Sequence, residues 1–319
     1  MAPEFKGKQA AIPSTLQDSS SSSSDDSDSD SDLPPRRRTT PPPPPLLRAR
    51  SLAAEVILQH EPIRSTLSSP DSVFLDFACG SGALSREIVQ HVDHILGIDV
   101  DPAAVSAYNQ RAQNQGLDES EMHAVVCDVL TLSDETGDDD VSCKEWFSAI
   151  DVAACAMGFH HLQDMTAVTK AIASKFLKPK GWFCVVDLLW TEHTAAVFTN
   201  LKTAKQQAHT HSHTHSHTHH DQRDSSHSHS HTHSHNHNHT VHVGGLHPAD
   251  LRQSLVSAGL TDVEVFEHAF EVPVMVPESL LPEQEATAGS SASNADGEDK
   301  NTRKVEVLLP FLFAVGRKS

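Results

Sequence analysis

Val73-Phe74-Leu75-Asp76-Phe77-Ala78-Cys79-Gly80-Ser81-Gly82 sets three apolar residues before an aspartate and closes on a Gly-x-Gly turn. A helical pattern, Ala83-Leu84-Ser85-Arg86-Glu87-Ile88-Val89, follows at once. A buried parallel strand that ends in a glycine turn and opens a helix is a nucleotide-binding device. The glycines let the backbone approach a ligand, and the helix N-terminus offers unpaired N–H groups. A dinucleotide loop needs G-x-G-x-x-G, but the third position here is Ser85. The phosphate-cradling G-x-x-x-x-G-K-[ST] is absent, and no lysine stands between Asp76 and Asp99. One glycine too few and no lysine at the turn make phosphate the weaker reading. An adenosine ligand without phosphates is the stronger one.

Outward from this run the chain alternates strands and helices. A helical pattern from Arg48 (Leu52, Val56, Ile57) precedes the strand Val73–Phe77, and a helix follows to about His91. His94–Val100 reads as strand two, Pro102–Ala112 as a helix and Met122–Val126 as strand three. Ile150–Met157 is strand four, an apolar run suited to a sheet buried on both faces. His161–Leu177 reads as a helix, Pro179-Lys180-Gly181 as a turn and Trp182–Leu189 as strand five. Thr191–Gln207 and Pro248–Ala258 are helical, the second ending at Gly259. Val263–Phe270 and Val305–Val315 have no helix between them and must pair as a hairpin. Strand–helix alternation calls for a doubly wound parallel α/β sheet.

Much of the 319-residue chain lacks the apolar content to offset ordering entropy. The expected organisation is a disordered Ser/Asp- and Pro-rich tail over 1–47 and one α/β domain over 48–319. Two insertions are expected inside that domain, a His-rich low-complexity one at 209–242 and an acidic flexible one at 276–303. The formal charge of -19 is uneven, since residues 1–50 hold seven acids and seven Lys/Arg. An acidic domain without a basic stripe is poorly suited to phosphate neutralisation, so no nucleic-acid partner is expected. The five cysteines form no C-x-x-C pair, and three or four are expected inside apolar strands. No secretory apolar segment opens the sequence and no run is long enough to span a membrane. The expected location is cytoplasmic, with Arg36-Arg37-Arg38 as a short nuclear-type signal.

The pattern hydrophobic–Asp–x–x–Cys–Gly–x–Gly resembles motif I of the class I S-adenosylmethionine-dependent methyltransferases. The resemblance runs from about residue 50 to the end, insertions excluded. It implies a Rossmann-like seven-stranded sheet in the order 3-2-1-4-5-7-6 with the last strand antiparallel, and S-adenosyl-L-methionine as cofactor. Asp99, about twenty residues past the turn, can accept both ribose hydroxyls, or can serve as a helix N-cap before Pro102, a role better suited to Asp101. Asp128 resembles the aspartate that accepts from the adenine amino group while the Val129 N–H meets a ring nitrogen; an ordinary loop carboxylate is the alternative. In the family Asp76 orders the glycine loop and the methionine amino group, and Gly80 and Gly82 let the backbone approach the methionine moiety. Ala78, Val100 and Met157 complete the implied cofactor set. Leu177-Lys178-Pro179-Lys180-Gly181 resembles the family's LKPGG turn with Lys180 at the first glycine.

Met157-Gly158-Phe159-His160-His161-Leu162 resembles the strand-four end of small-molecule methyltransferases. The [DN]-P-P-[FYW] signature of exocyclic-amine methylation and the Pro-Cys pair of cytosine methylation are both absent. His160 and His161 are the candidate catalytic residues: one could remove an acceptor proton, or both could cap the next helix and shape the pocket. Fifteen of the twenty-four histidines lie between His209 and His242. Histidine at every second position takes divalent metal adventitiously in many equivalent geometries, whereas a catalytic metal site needs one. The favoured reading is an expanded loop. The expected function is methyl transfer to oxygen or carbon of a small-molecule acceptor. The alternatives are a protein methyltransferase, or a non-catalytic module that binds the cofactor or a metal.

Overall fold

The computed structural model describes residues 44–132, 141–210, 241–281 and 303–319. The N-terminal tail to residue 43, and most of the histidine tract and of the acidic insertion, lie outside the described residues, and so does the expectation of their disorder. Helices α1 (Pro45–Gln59) and α2 (Glu61–Leu67) lead into β1 (Val73–Phe77). Then come α3 (Ala83–Ile88), β2 (His94–Asp99), α4 (Pro102–Asn114), β3 (Met122–Val126) and the short α5 (Val141–Lys144). They are followed by β4 (Ile150–Ala156), α6 (Met165–Ala171), β5 (Leu177–Leu188) and α7 (Glu192–Thr210). Helix α8 (Pro248–Ser257), β6 (Leu260–Pro277) and β7 (Lys304–Lys318) complete the fold.

The seven strands form one sheet in the order β3-β2-β1-β4-β5-β7-β6, as the resemblance implies. Strands β1 to β5 pair in parallel, and β7 runs antiparallel between β5 and β6. Successive residues of each central strand enter different cores, which is why these runs are apolar throughout. Leu75, Ala153, Phe183 and Leu312 bury on the face covered by α6 and α8. Phe74, Val152, Cys184 and Phe313 bury on the face covered by α1 to α4.

Several boundaries differ from the sequence reading for local reasons. Helix α1 begins at Pro45 rather than 48, because proline is favoured in a first helical turn and Ala49 and Ala53 are buried behind it. The helix expected over His161–Leu177 is broken: Phe159–His161 forms a 3₁₀ turn, Asp164 caps α6 by accepting from Ala167 N at 2.8 Å, and Ile172–Phe176 forms a wide π turn. The Pro179-Lys180-Gly181 turn bulges out of β5, since Ile150 pairs with Leu177 while Val152 pairs with Trp182. Lys180 takes the left-handed conformation (φ 68°) that a glycine adopts freely. Only Cys155 and Cys184 lie in strands, although all five cysteines are buried and none is in a disulfide.

The hairpin is longer than expected. The β5–β7 ladder ends at Leu188↔Phe311, yet β6 and β7 stay paired to Pro277↔Lys304. The overhang stands above the carboxyl end of β5. Val272, Val276, Leu280 and Leu309 bury there with Ala49 of α1 and Val197 of α7, and Asn200 donates to the Leu280 carbonyl at 2.9 Å. Residues 276–281, where the sequence places the start of the acidic insertion, carry the end of β6 and a 3₁₀ turn, with Val276 and Leu280 buried. Among the described residues no helix is long and apolar enough to cross a membrane.

Candidate functional site

The carboxyl ends of β1 to β5 gather every candidate at one edge of the sheet. After β1 the chain turns sharply, with Ala78, Gly80 and Gly82 all in the left-handed region (φ 56°, 52° and 80°). A Cβ on Gly82 would lie 2.8 Å from the Tyr108 ring, so glycine is required on both counts. Asp76 sits behind this turn, 2% exposed, and accepts from Ser85 Oγ at 2.6 Å. Tyr108 donates to the same hydroxyl at 2.8 Å. Burial pushes the Asp76 pKa up to about 6, against the opposing Ser85 hydrogen bonds and the charge of Arg50.

Asp99 closes β2. Its Oδ2 accepts from Gly80 N at 2.8 Å and its Oδ1 from Asp101 N at 3.0 Å. The N-cap of α4 is Asp101, whose Oδ1 accepts from Ala103 N at 2.9 Å. Asp99 is therefore not the cap and ties strand two to the glycine turn. Asp128 is exposed in the turn after β3 and accepts from Leu130 N at 3.0 Å, while the Val129 side chain is buried. Val100 and Leu130 in these two turns are 65% and 53% exposed, an arrangement that suits an apolar ligand face.

Met157 ends β4 with φ 64° and donates to the Val186 carbonyl at 2.9 Å. Next to it, a Cβ on Gly158 would fall 2.9 Å from the Ala78 Cβ, so the glycine turn and the end of β4 are in close contact. His160 Nδ1 lies 2.7 Å from Asp187 Oδ1, and His160 N donates to Asp187 Oδ2 at 3.1 Å. Burial works against the charged ring, but the hydrogen bond and charge of Asp187 outweigh it and hold the His160 pKa above its ordinary value. His161, with its ring centroid 4.1 Å away, is lowered by burial and then by His160.

Met157, His160 and His161 line a cavity of about 420 Å³, within the range that takes small organic molecules, whereas Asp76, Ala78, Gly80, Gly82, Asp99, Val100, Asp128 and Val129 do not line it. Arg50 of α1 enters from the other side, close enough that a Cβ on Gly80 would lie 3.9 Å from its Nη2. His242, the last residue of the histidine tract, also lines the cavity; its N–H donates to the His160 carbonyl at 3.1 Å. Among the described residues no group of three or more His, Cys, Asp or Glu is arranged to hold a metal ion.

Sequence reasoning missed Asp187, Arg50 and His242. Asp187 could have been found, since it is an acid inside the apolar run Val185-Val186-Asp187-Leu188. Arg50 stands two residues from Arg48 in an apolar helix, with no signal that it turns toward the glycine loop. His242 is hidden among similar histidines.

Residues 75–183 match the family described as a methyltransferase domain. An uncharacterized methyltransferase of Schizosaccharomyces pombe is 36% identical over 115 residues, which is 36% of this chain and 38% of that protein. The match therefore spans well under half of that relative. Among solved structures, the YcgJ protein of Bacillus subtilis shares the fold with a TM-score of 0.50 at 14% identity, covering 84% of this chain and 97% of that one. The matched stretch holds Asp76, Gly80, Gly82, Asp99, Asp128 and the His160–His161 pair. Residues 75–183 are thus similar to a methyltransferase domain, and the sheet order around them is the one that the resemblance to class I S-adenosylmethionine-dependent methyltransferases implies.

Proposed function

We propose that the protein moves the methyl group of S-adenosylmethionine to a small, largely apolar acceptor. The observation that carries this reading is the 420 Å³ cavity at the end of β4 and β5, whose lining residues Met157 and Arg50 adjoin the glycine turn through the Gly158–Ala78 contact and the approach of Arg50 to Gly80. A donor lying over that turn would direct its methyl group at the cavity. Asp99 would give up its backbone hydrogen bonds in part and accept the ribose hydroxyls. Asp128 and the Val129 N–H would meet the adenine edge, with Val100 covering a ring face. The backbone from Ala78 to Gly82, together with Met157, would line the methionine end. Arg50 has no hydrogen-bond or ion-pair partner among the described residues, which suits it to the donor's carboxylate.

The sulfonium supplies an activated methyl group. What the protein adds is placement of the acceptor in line with it, worth several orders of magnitude in rate, and exclusion of water by the hairpin overhang. Calorimetry with S-adenosylmethionine tests the donor half. Asp99→Ala should weaken binding at least about a hundredfold, because a carboxylate holding two hydroxyls is lost. An unchanged affinity in a variant that melts like the wild type would remove Asp99 from the site.

A further inference from the structure

His160 is held more firmly than a helix-capping residue needs. Its ring and its backbone N–H bond the two different oxygens of Asp187, a residue with no exposed surface. Asp187 Oδ1 also accepts from Leu188 N at 2.8 Å, so the carboxylate cannot rotate without losing bonds. On the other side the His160 carbonyl is taken by His242 N, and His242 Nε2 reaches the Leu162 carbonyl at 3.2 Å. A carboxylate only accepts, so Nδ1 carries hydrogen, and in the neutral ring Nε2 is left with its lone pair. Nε2 has no partner among the described residues, and His160 is a cavity residue.

The rest of the lining is largely apolar, with Leu188, Phe198, Val272, Val274, Leu309 and Phe311. Most of it comes from the hairpin overhang and α7, which bury together. An acceptor here would press an apolar body against these residues and offer its reacting atom to His160, which lines the same cavity as Met157. The polar groups in that cavity are few, so each must have a purpose.

We propose that the acceptor is a hydrophobic molecule with one acidic hydroxyl, a phenol or enol, and that His160 takes the hydroxyl proton while Asp187 holds the ring in place. This rests on the methyl-donor reading above. As the acceptor oxygen attacks, the new O–CH₃ bond forms and the S–CH₃ bond breaks, its electron pair staying on sulfur. The O–H proton passes to Nε2 and then to water, so one proton is released per methyl ether formed. Asp187 touches no reacting atom and is a positioning residue.

The experiment follows radiolabelled methyl transfer from S-adenosylmethionine to 4-methyl-, 4-butyl- and 4-heptylphenol, with the matching anilines as comparison. Calorimetry of donor binding is run on every protein. The phenols should be methylated on oxygen in preference to the anilines, with kcat/KM rising about three- to fourfold per added methylene until the wall is filled. His160→Asn keeps an amide donor for Asp187 but has no base. It should lower kcat on the order of a hundredfold or more with donor affinity unchanged. Asp187→Asn should lower kcat less and move the acid limb of the pH profile to lower pH, because the charge that raises the His160 pKa is gone. The other charged or titratable groups that line the cavity with His160 are His161, His242 and Arg50, and none is altered in these variants. Donor binding without methylation of any phenol, a preference for the anilines, or a His160→Asn enzyme with wild-type turnover and profile would each overturn the proposal. A wild-type protein that bound no S-adenosylmethionine would instead overturn the donor reading beneath it.

Discussion

Asp76 carries two opposed demands in a single carboxylate. It anchors the first turn of α3 through Ser85, and its charge sits close behind the turn where a cationic donor would lie. Burial raises its pKa from 3.8 to about 6, so the folded state binds the proton more tightly than the unfolded chain. Its contribution to stability is fully present below pH 3.8 and is lost as pH rises through about 6. A shift of this size corresponds to roughly 3 kcal/mol at most. Asp76→Asn still offers Ser85 an acceptor but carries no charge. Thermal melts should show the variant more stable than the wild type at pH 8 and level with it near pH 4, while affinity for S-adenosylmethionine at pH 8 falls. A melting difference that did not change with pH would mean that the charge is not the cause. Asp76, Asp99 and Asp128 are legible in the sequence because each stands at the end of an apolar run that marks its own strand. Asp187 is just as well marked, but its partnership with His160 across 27 residues is not. That contact depends on the register Ala156↔Val186, which follows the bulge at Lys178–Gly181. A one-residue slip there would send Asp187 to the other face of the sheet.

Elements add constraints that no single residue announces. The strand-and-helix alternation is readable from apolar runs and capping signals, and so is the closing hairpin. Its extent is not, because β6 mixes Glu, His and Val with no clean period, and only pairing with β7 shows how far it continues. The Gly244–Gly245 pair after the histidine tract is another such element. It lets Leu246 form a bridge to Leu189, with Leu246 N donating to the Leu188 carbonyl at 2.8 Å. It also brings His242 against His160. Gly245 has φ 113°, and a Cβ there would fall 2.4 Å from the Leu188 carbonyl oxygen. Backbone atoms cannot yield as a side chain can, so Gly245→Ala should cost about 2–4 kcal/mol and lower Tm by roughly 5–15 °C. Gly259, at φ 92° with nothing within 4 Å of its added Cβ, separates the two causes. Gly259→Ala meets only the conformational penalty and should cost about 1–2 kcal/mol. Equal losses in the two variants would mean that left-handed strain, and not the Leu188 contact, governs Gly245.

For the molecule as a whole, the two halves of the site lie on different parts of the sheet. Most of the residues assigned to the donor come from β1 to β3 and the turns that follow them, within 76–129, with Arg50 of α1 and Met157 after β4 added. The acceptor wall comes from β5, α7 and the hairpin, the region that the long insertions interrupt. The histidine tract leaves α7 at Thr210 and returns at Val241, one residue before His242 meets the His160 carbonyl. None of the donor residues lies inside it. Replacing residues 211–240 with a short Gly/Ser linker should therefore leave the affinity for S-adenosylmethionine within about twofold, since a change below ~0.4 kcal/mol is expected when no contact is lost. The same replacement leaves His242 and the Gly244–Gly245 pair in the chain, so the Tm should also stay close to the wild-type value. Zinc added to the two proteins separates the remaining alternatives. If the tract only gathers metal adventitiously, zinc should bind the full chain in several weak, equivalent steps and leave donor affinity unchanged in both proteins. A single tight zinc site that altered donor binding in the full chain, and vanished with the linker, would make the tract a functional part of the enzyme and not an appended loop.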